Sequence, residues 1–184
     1  VKGVDIRTVG SGTIGASNVA RAFAGRGRFA AWLCVLVVDV VKGFAPTFIA
    51  ITVSGPNAAV ATGAAALLGN YRPVFMRFQR GGKMVATGGG VVFALAPKAA
   101  AIGVGIWIVV ALLTRYASLA SLTTAVLMPV LEIVTGRPWV IVAFTIVVAA
   151  AIFVLHRANI RRLLNGTEPR ITFRRGGSVG PAPS

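Results

Sequence analysis

The sequence predicts an all-α, polytopic transmembrane protein with about six spans visible, and three observations lead to that class. Hydrophobic residues make up 56% of the 184 residues and charged residues only 12%, with a mean hydropathy of +0.82. A water-soluble globule has too little interior to hide that much apolar surface. Second, apolar runs such as Phe29 to Val53 exceed the roughly 20 residues with which a helix crosses hydrocarbon. Third, Lys and Arg cluster on alternate connections between those runs, as they do on loops that stay on the cytoplasmic side.

Taken in chain order, the candidate spans fall at about 29–51, 57–69, 84–96, 98–114, 117–134 and 138–156. Several are short, and are read as tilted, half-inserted or extended by neighbouring residues. Ahead of the first lie Lys2, Arg7, Arg21, Arg26 and Arg28. Between the second and third come Arg72, Arg77, Arg80 and Lys83, between the fourth and fifth Arg115, and the remaining arginines of this face follow the sixth. Sixteen of the 19 basic residues thus share one face. The other face has only Lys98 and Arg137, and Lys42 lies inside a span. Both visible termini are expected in the cytoplasm. Residues 1–173 read as a single membrane-embedded domain, and 174–184, with two Arg, three Gly, two Pro and two Ser, as a basic disordered tail. The chain opens on Val1 with no apolar segment ahead of Lys2, which is read as a missing N-terminal piece.

A net charge of +15 would point a soluble protein toward nucleic acid. Here the distribution assigns the charge to a membrane face, so the bilayer is the expected partner and nucleic acid is not. Cys34 is the only cysteine and His156 the only histidine, so no disulfide, cysteine or zinc cluster, or convincing Ser-His-Asp triad can be assembled. His156 is read as an interfacial residue. No metal is expected, and any catalysis should rest on electrostatics and positioning around bound phosphate more than on a protein nucleophile.

Polar residues gather in a few clusters. Gly10, Gly12 and Gly15 satisfy GxGxxG, but a dinucleotide site needs a strand before it and a soluble βαβ unit around it. Two readings stay open for this segment. Glycine backbone N–H groups, Ser11, Ser17 and Arg21 suit a phosphate, and the same residues suit a flexible interfacial loop with ordinary positive charge. Asp39 and Lys42 stand three apart on one helical face and can pair, either as a brace or as a substrate contact. Gly81-Gly82-Lys83 allows close backbone approach to an anion. It is no Walker A loop, because Arg77 stands where the first glycine belongs and Met84 follows the lysine. Arg115, Ser118 and Ser121 share a helix face, where serines commonly serve packing. His156-Arg157-Ala158-Asn159 leaves the last span, with Glu168 beyond it.

Together these clusters resemble the acyl-phosphate:glycerol-3-phosphate acyltransferase family, a bacterial membrane enzyme of phospholipid synthesis. The elements that carry the resemblance are Asp5-Ile6-Arg7 with Gly10-Ser11-Gly12, Asn18 to Arg21, Asp39 with Lys42-Gly43, Pro73-Val74-Phe75 with Gly81-Gly82-Lys83 and Val85-Ala86-Thr87, Arg115 to Ser121, and His156-Arg157 with Asn159-Ile160. The resemblance implies seven transmembrane helices in the bacterial inner membrane, with the active site at the cytoplasmic face. It also implies that one N-terminal helix is absent here. The implied reaction moves a fatty acyl group from acyl phosphate to the 1-hydroxyl of glycerol 3-phosphate, giving lysophosphatidic acid and inorganic phosphate.

By that resemblance Ser11, Arg21 and Lys83 would hold phosphate groups, with Asn70 beside them in the catalytic set. Gly10, Gly12, Asn18, Gly81, Gly82, Ser118, Asn159 and Glu168 would bind substrate, and the acyl chain would enter from the bilayer. The acyl phosphate's own phosphate would take the hydroxyl proton, with no cofactor. The chain departs from the family pattern at Asn70, where the family has histidine, at Thr13, where it has asparagine, and at Met84, where it has glycine. Asn70 keeps hydrogen-bonding capacity but has no imidazole proton chemistry. Two competing readings are a catalytically impaired relative that scaffolds lipid enzymes, and a small-anion transporter, which would want its polar site nearer the midplane. Acyl-chain length and oligomeric state are not legible in the sequence.

Overall fold

The computed structural model describes residues 5–8, 14–23, 25–79 and 81–171, with only the backbone of Arg7, Arg21, Gly25 and Arg26, and these residues contain helices and no strand. A short α1 (Ala16–Val19) leads through a 3-10 turn into α2 (Gly25–Tyr71). Then follow α3 (Val85–Leu95), α4 (Pro97–Thr114), α5 (Ala117–Val134), α6 (Trp139–Leu155) and α7 (Arg157–Leu164). The expected spans 84–96, 98–114, 117–134 and 138–156 coincide with α3 to α6 within a residue or two. The tail expected at 174–184 lies outside the described residues.

The expected spans 29–51 and 57–69 are the two limbs of α2, which is a hairpin and not a rod. Gly55 breaks it with φ 80° and ψ −173°, a conformation essentially reserved for glycine. Pro56 follows and suits the first turn of the second limb. Thr47 and Gly63 show that the chain folds back. Sixteen residues of straight helix would separate them by about 24 Å at 1.5 Å per residue. Instead a Cβ placed on Gly63 would stand 3.5 Å from the Thr47 hydroxyl.

α3 packs against both limbs. A Cβ on Gly43 would lie 2.2 Å from the Thr87 carbonyl oxygen, and one on Gly90 would lie 2.1 Å from that of Val40. Small residues at these positions let the two backbones touch, which matters in lipid because apolar side chains gain little by leaving one hydrocarbon environment for another. The buried core beside this contact is formed by Ala59, Leu67, Met84, Val91, Leu95 and Ile141. Outward faces stay apolar, with Val53, Leu113 and Val134 78%, 80% and 78% exposed. Helices that are apolar all round belong in a membrane, and α2, α4 and α5 are long and apolar enough to cross one.

At the end of the bundle where α5 gives way to α6, Glu132 is fully buried and its Oε2 accepts a 2.5 Å hydrogen bond from the Thr145 hydroxyl. The Arg137 backbone N–H donates to the Glu132 carbonyl, and the Arg137 guanidinium donates to the Leu95 carbonyl, so α3, α5 and α6 are tied together there. The opposite end of the bundle carries the polar chemistry.

Candidate active site

Three distant segments meet where α2 ends, α3 and α5 begin and α6 ends. The turn residue Lys83 donates from Nζ to Asn159 Oδ1 on α7 at 2.7 Å. Asn159 in turn donates from Nδ2 to Glu168 Oε1 at 2.6 Å. Ser118, in the first turn of α5, donates to the same Oε1 at 2.7 Å, while Arg162 donates from Nε to Oε2 at 2.7 Å. The chemistry of the ends fixes the middle of this chain, because an ammonium only donates and a carboxylate only accepts. Ser118, Asn159 and Glu168 are buried and Lys83 is half-buried.

Local geometry explains how Glu168 arrives. α7 ends with Gly166 at φ 67°, and Thr167 N–H donates to Arg162 O at 2.8 Å. That is a Schellman turn, with glycine at the left-handed position, and it sends the chain back toward α5. Ile171 N–H then bonds Arg115 O at 2.7 Å, and the Arg170 guanidinium sits 5.4 Å from the centre of the Tyr116 ring. The segment carrying Glu168 is thereby fastened at both ends. Burial pushes the Glu168 carboxyl up, but hydrogen bonds from Ser118, Asn159 and Arg162, with the Arg162 charge, outweigh it and hold the group below its ordinary value.

Asn70 and the paired glycines form the second part of the site. Asn70 is 6% exposed at the end of α2. Its side chain covers Gly82, where an added Cβ would stand 2.7 Å from Nδ2. Gly82 N–H donates to Asn70 O at 3.0 Å and Gly81 N–H to Tyr71 O at 2.9 Å. Both amides are therefore occupied by carbonyls, and the close approach these glycines permit is to Asn70. The charged group at this turn is the Lys83 ammonium.

Of the other sequence-derived candidates, Asn18 is buried and donates from Nδ2 to Ile6 O at 3.2 Å. Gly10, Ser11, Gly12 and Thr13, and the side chain of Arg21, lie outside the described residues. Asp39 and Lys42 pair at 2.5 Å as their spacing suggests. Ser121 is separate from the Glu168 network, accepting from Trp107 and donating to Ala117 O.

Two residues given no site role in the sequence reading belong beside this network. Arg162 binds Glu168 directly. His156 is 3% exposed, its Nδ1 is 2.9 Å from Ile152 O, and it lies within electrostatic reach of both Lys83 and Glu168. The interfacial reading missed that burial. The 60° bend between α6 and α7, at which His156 sits, is seen only in the structure.

A family model for glycerol-3-phosphate acyltransferase matches residues 1–166. The chain belongs to the glycerol-3-phosphate acyltransferase family. A glycerol-3-phosphate acyltransferase of Rubrobacter xylanophilus is 45% identical over 179 residues, covering 95% of this chain and 86% of the relative. One from Aquifex aeolicus is 42% identical over 172 residues, covering 92% and 87%. Among solved structures, the glycerol 3-phosphate form of PlsY (YgiH), an integral membrane glycerol 3-phosphate acyltransferase, superposes with a TM-score of 0.86 at 42% identity, covering 93% of this chain and 84% of that one. The lysophosphatidic acid form gives 0.83 at 41% identity with the same coverage. These matches support the acyltransferase reading and lend nothing to the scaffold or transporter alternatives.

Within this acyltransferase, Met84 explains one departure from the family pattern. It caps α3 with φ 66° and ψ −1°, a left-handed conformation in which glycine is at ease and a side chain costs about 1 kcal/mol. The Met84 side chain offsets that by joining the buried core with Leu67 and Val91.

Proposed function

We propose that this acyltransferase transfers a fatty acyl group from acyl phosphate to the 1-hydroxyl of glycerol 3-phosphate. The observation that carries the proposal is the Lys83–Asn159–Glu168–Ser118 network at one end of the bundle. Lys83 supplies charge for a substrate phosphate, joined by Ser11 and Arg21 as the family pattern implies. Gly81 and Gly82 shape the turn before Lys83, and the family pattern implies Gly10 and Gly12 as substrate-binding residues. Asn159, Ser118 and Glu168 orient the glycerol hydroxyls, with Asn18 and Asn70 bracing the wall.

In the step itself the 1-hydroxyl oxygen bonds to the acyl carbon, the bond between that carbon and the bridging phosphate oxygen breaks, and the departing phosphate takes the hydroxyl proton. No acyl-enzyme is formed. The contribution of the protein is orientation and charge, which together can lower a barrier substantially.

On the apolar side of α5, α6 and α7 lies an open groove of about 510 Å³ lined by Leu119, Val126, Phe153 and Leu163 among others. Leu119 and Ile160, which line it, follow Ser118 and Asn159 in the chain. The acyl chain of the donor fits this apolar channel, entering sideways from lipid. Orientation follows from charge, with the site on the cytoplasmic face of the bacterial inner membrane.

The test is incubation of purified protein with labelled glycerol 3-phosphate and one of three donors, acyl phosphate, acyl-CoA or acyl carrier protein. Labelled lysophosphatidic acid is expected from acyl phosphate alone. Product from the other donors and none from acyl phosphate would assign a different donor chemistry.

A further inference from the structure

α7 has two faces with different chemistry. It leaves α6 at a 60° bend, and a short helix with arginines on its exposed side suits the bilayer boundary. Its inward side places Asn159 against Lys83 and Glu168, and Arg162 against Glu168. Arg157, Arg161 and Leu164 follow the i, i+4, i+7 spacing of a single helix stripe, and all three are exposed on the outward side. Leu164 is 82% exposed and also borders the apolar groove. Neither Arg157 nor Arg161 forms an ion pair among the described residues.

Water suits the two guanidiniums but not the leucine, and hydrocarbon suits the leucine but not the guanidiniums. The level of lipid phosphates suits all three, because an interfacial amphipathic helix seats apolar residues at the acyl boundary and its cations among headgroups. Anionic headgroups add attraction to each cation near the surface. We infer that the outward face of α7 is a binding surface for anionic phospholipid headgroups, whose occupancy steadies the inward face that holds Lys83 and Glu168. Ordering α7 from outside lowers the conformational freedom that substrate binding must otherwise remove. The enzyme is then activated by acidic lipid in its own membrane.

The test uses the full chain in nanodiscs of phosphatidylcholine alone or with one third phosphatidylglycerol, comparing wild type, R157Q/R161Q and R157K/R161K. Amide hydrogen exchange is followed over residues 157–171 together with acyl transfer to glycerol 3-phosphate. Phosphatidylglycerol is expected to slow exchange and raise turnover about fivefold in wild type and in the lysine variant, with little response in the glutamine variant. In phosphatidylcholine alone all three should behave alike. An equal response in wild type and R157Q/R161Q overturns the inference, as does a response reproduced by inorganic phosphate in neutral discs. The turnover arm rests on the acyltransferase reading and the exchange arm does not. Lipid-dependent protection without turnover would therefore count against the reaction and for the lipid surface.

Discussion

Lys83 and Asn159, 76 positions apart, share a 2.7 Å hydrogen bond that joins the turn before α3 to the helix after α6. Asn159 bonds Lys83 through its oxygen and Glu168 through its nitrogen, so replacing it breaks both links at once. Hydrogen bonds to charged groups contribute about 1.5 to 3 kcal/mol. Asn159→Ala is expected to lower kcat/KM for glycerol 3-phosphate at least about tenfold, and Asn159→Asp to do no better, because it sets a second carboxylate against Glu168. Kinetics normalised to folded protein in detergent would check this, and wild-type efficiency in Asn159→Ala would remove Asn159 from the site.

Glu168 predicts a pH dependence of stability. Its folded carboxyl titrates below its ordinary value of 4.5, so the folded state binds its proton less readily than the unfolded chain does. The stabilisation is therefore fully present above about pH 4.5 and is lost as pH falls through the depressed folded value. Glu168→Gln should flatten that part of the profile. Denaturation in detergent between pH 6 and pH 3, compared for the two proteins, supplies the test. Parallel profiles would contradict the assignment.

The α2–α3 contact predicts contrasting glycine substitutions. Gly43→Ala puts a methyl 2.2 Å from a backbone oxygen, and overpacking of this kind costs about 1 to 3 kcal/mol. At Gly89 an added Cβ meets nothing within 4 Å, so Gly89→Ala should be neutral or stabilising by up to about 1 kcal/mol through helix propensity. Thermal unfolding of both variants would show opposite shifts. Similar shifts would mean that the backbones do not meet there.

Asn70→His restores the side chain that the family pattern places at this position. Asn70 already fills the space left by Gly82, and an imidazole can keep a hydrogen bond there. Activity is expected to equal or exceed that of the wild type. Gly82→Ala should lower it, since the new methyl collides with the Asn70 amide. Turnover found only in Asn70→His would make the natural sequence a degenerate enzyme.

Much of the fold was legible because lipid exposure demands apolar residues over whole helices, which composition and run length report directly. The hairpin of α2 was legible as two spans, separated at Gly55. Glu168 was less legible. Asn165-Gly166 marks a helix end in sequence, but where the chain points afterwards depends on Arg115 and Tyr116 gripping Ile171 and Arg170. The burial of His156 was hidden for the same reason, because an interfacial histidine and a buried one look alike without their neighbours. The roles of Gly81 and Gly82 were ambiguous since close approach to a phosphate and close approach to Asn70 demand the same residue.

The most direct test of a phosphate site built on Lys83 is Lys83→Ala, with folded protein quantified and each substrate titrated in turn. At least about a tenfold fall in kcat/KM is expected for one or both phosphate-bearing substrates, with insertion and expression nearly unchanged. Wild-type efficiency toward both glycerol 3-phosphate and acyl phosphate, in a variant that folds normally, would contradict it.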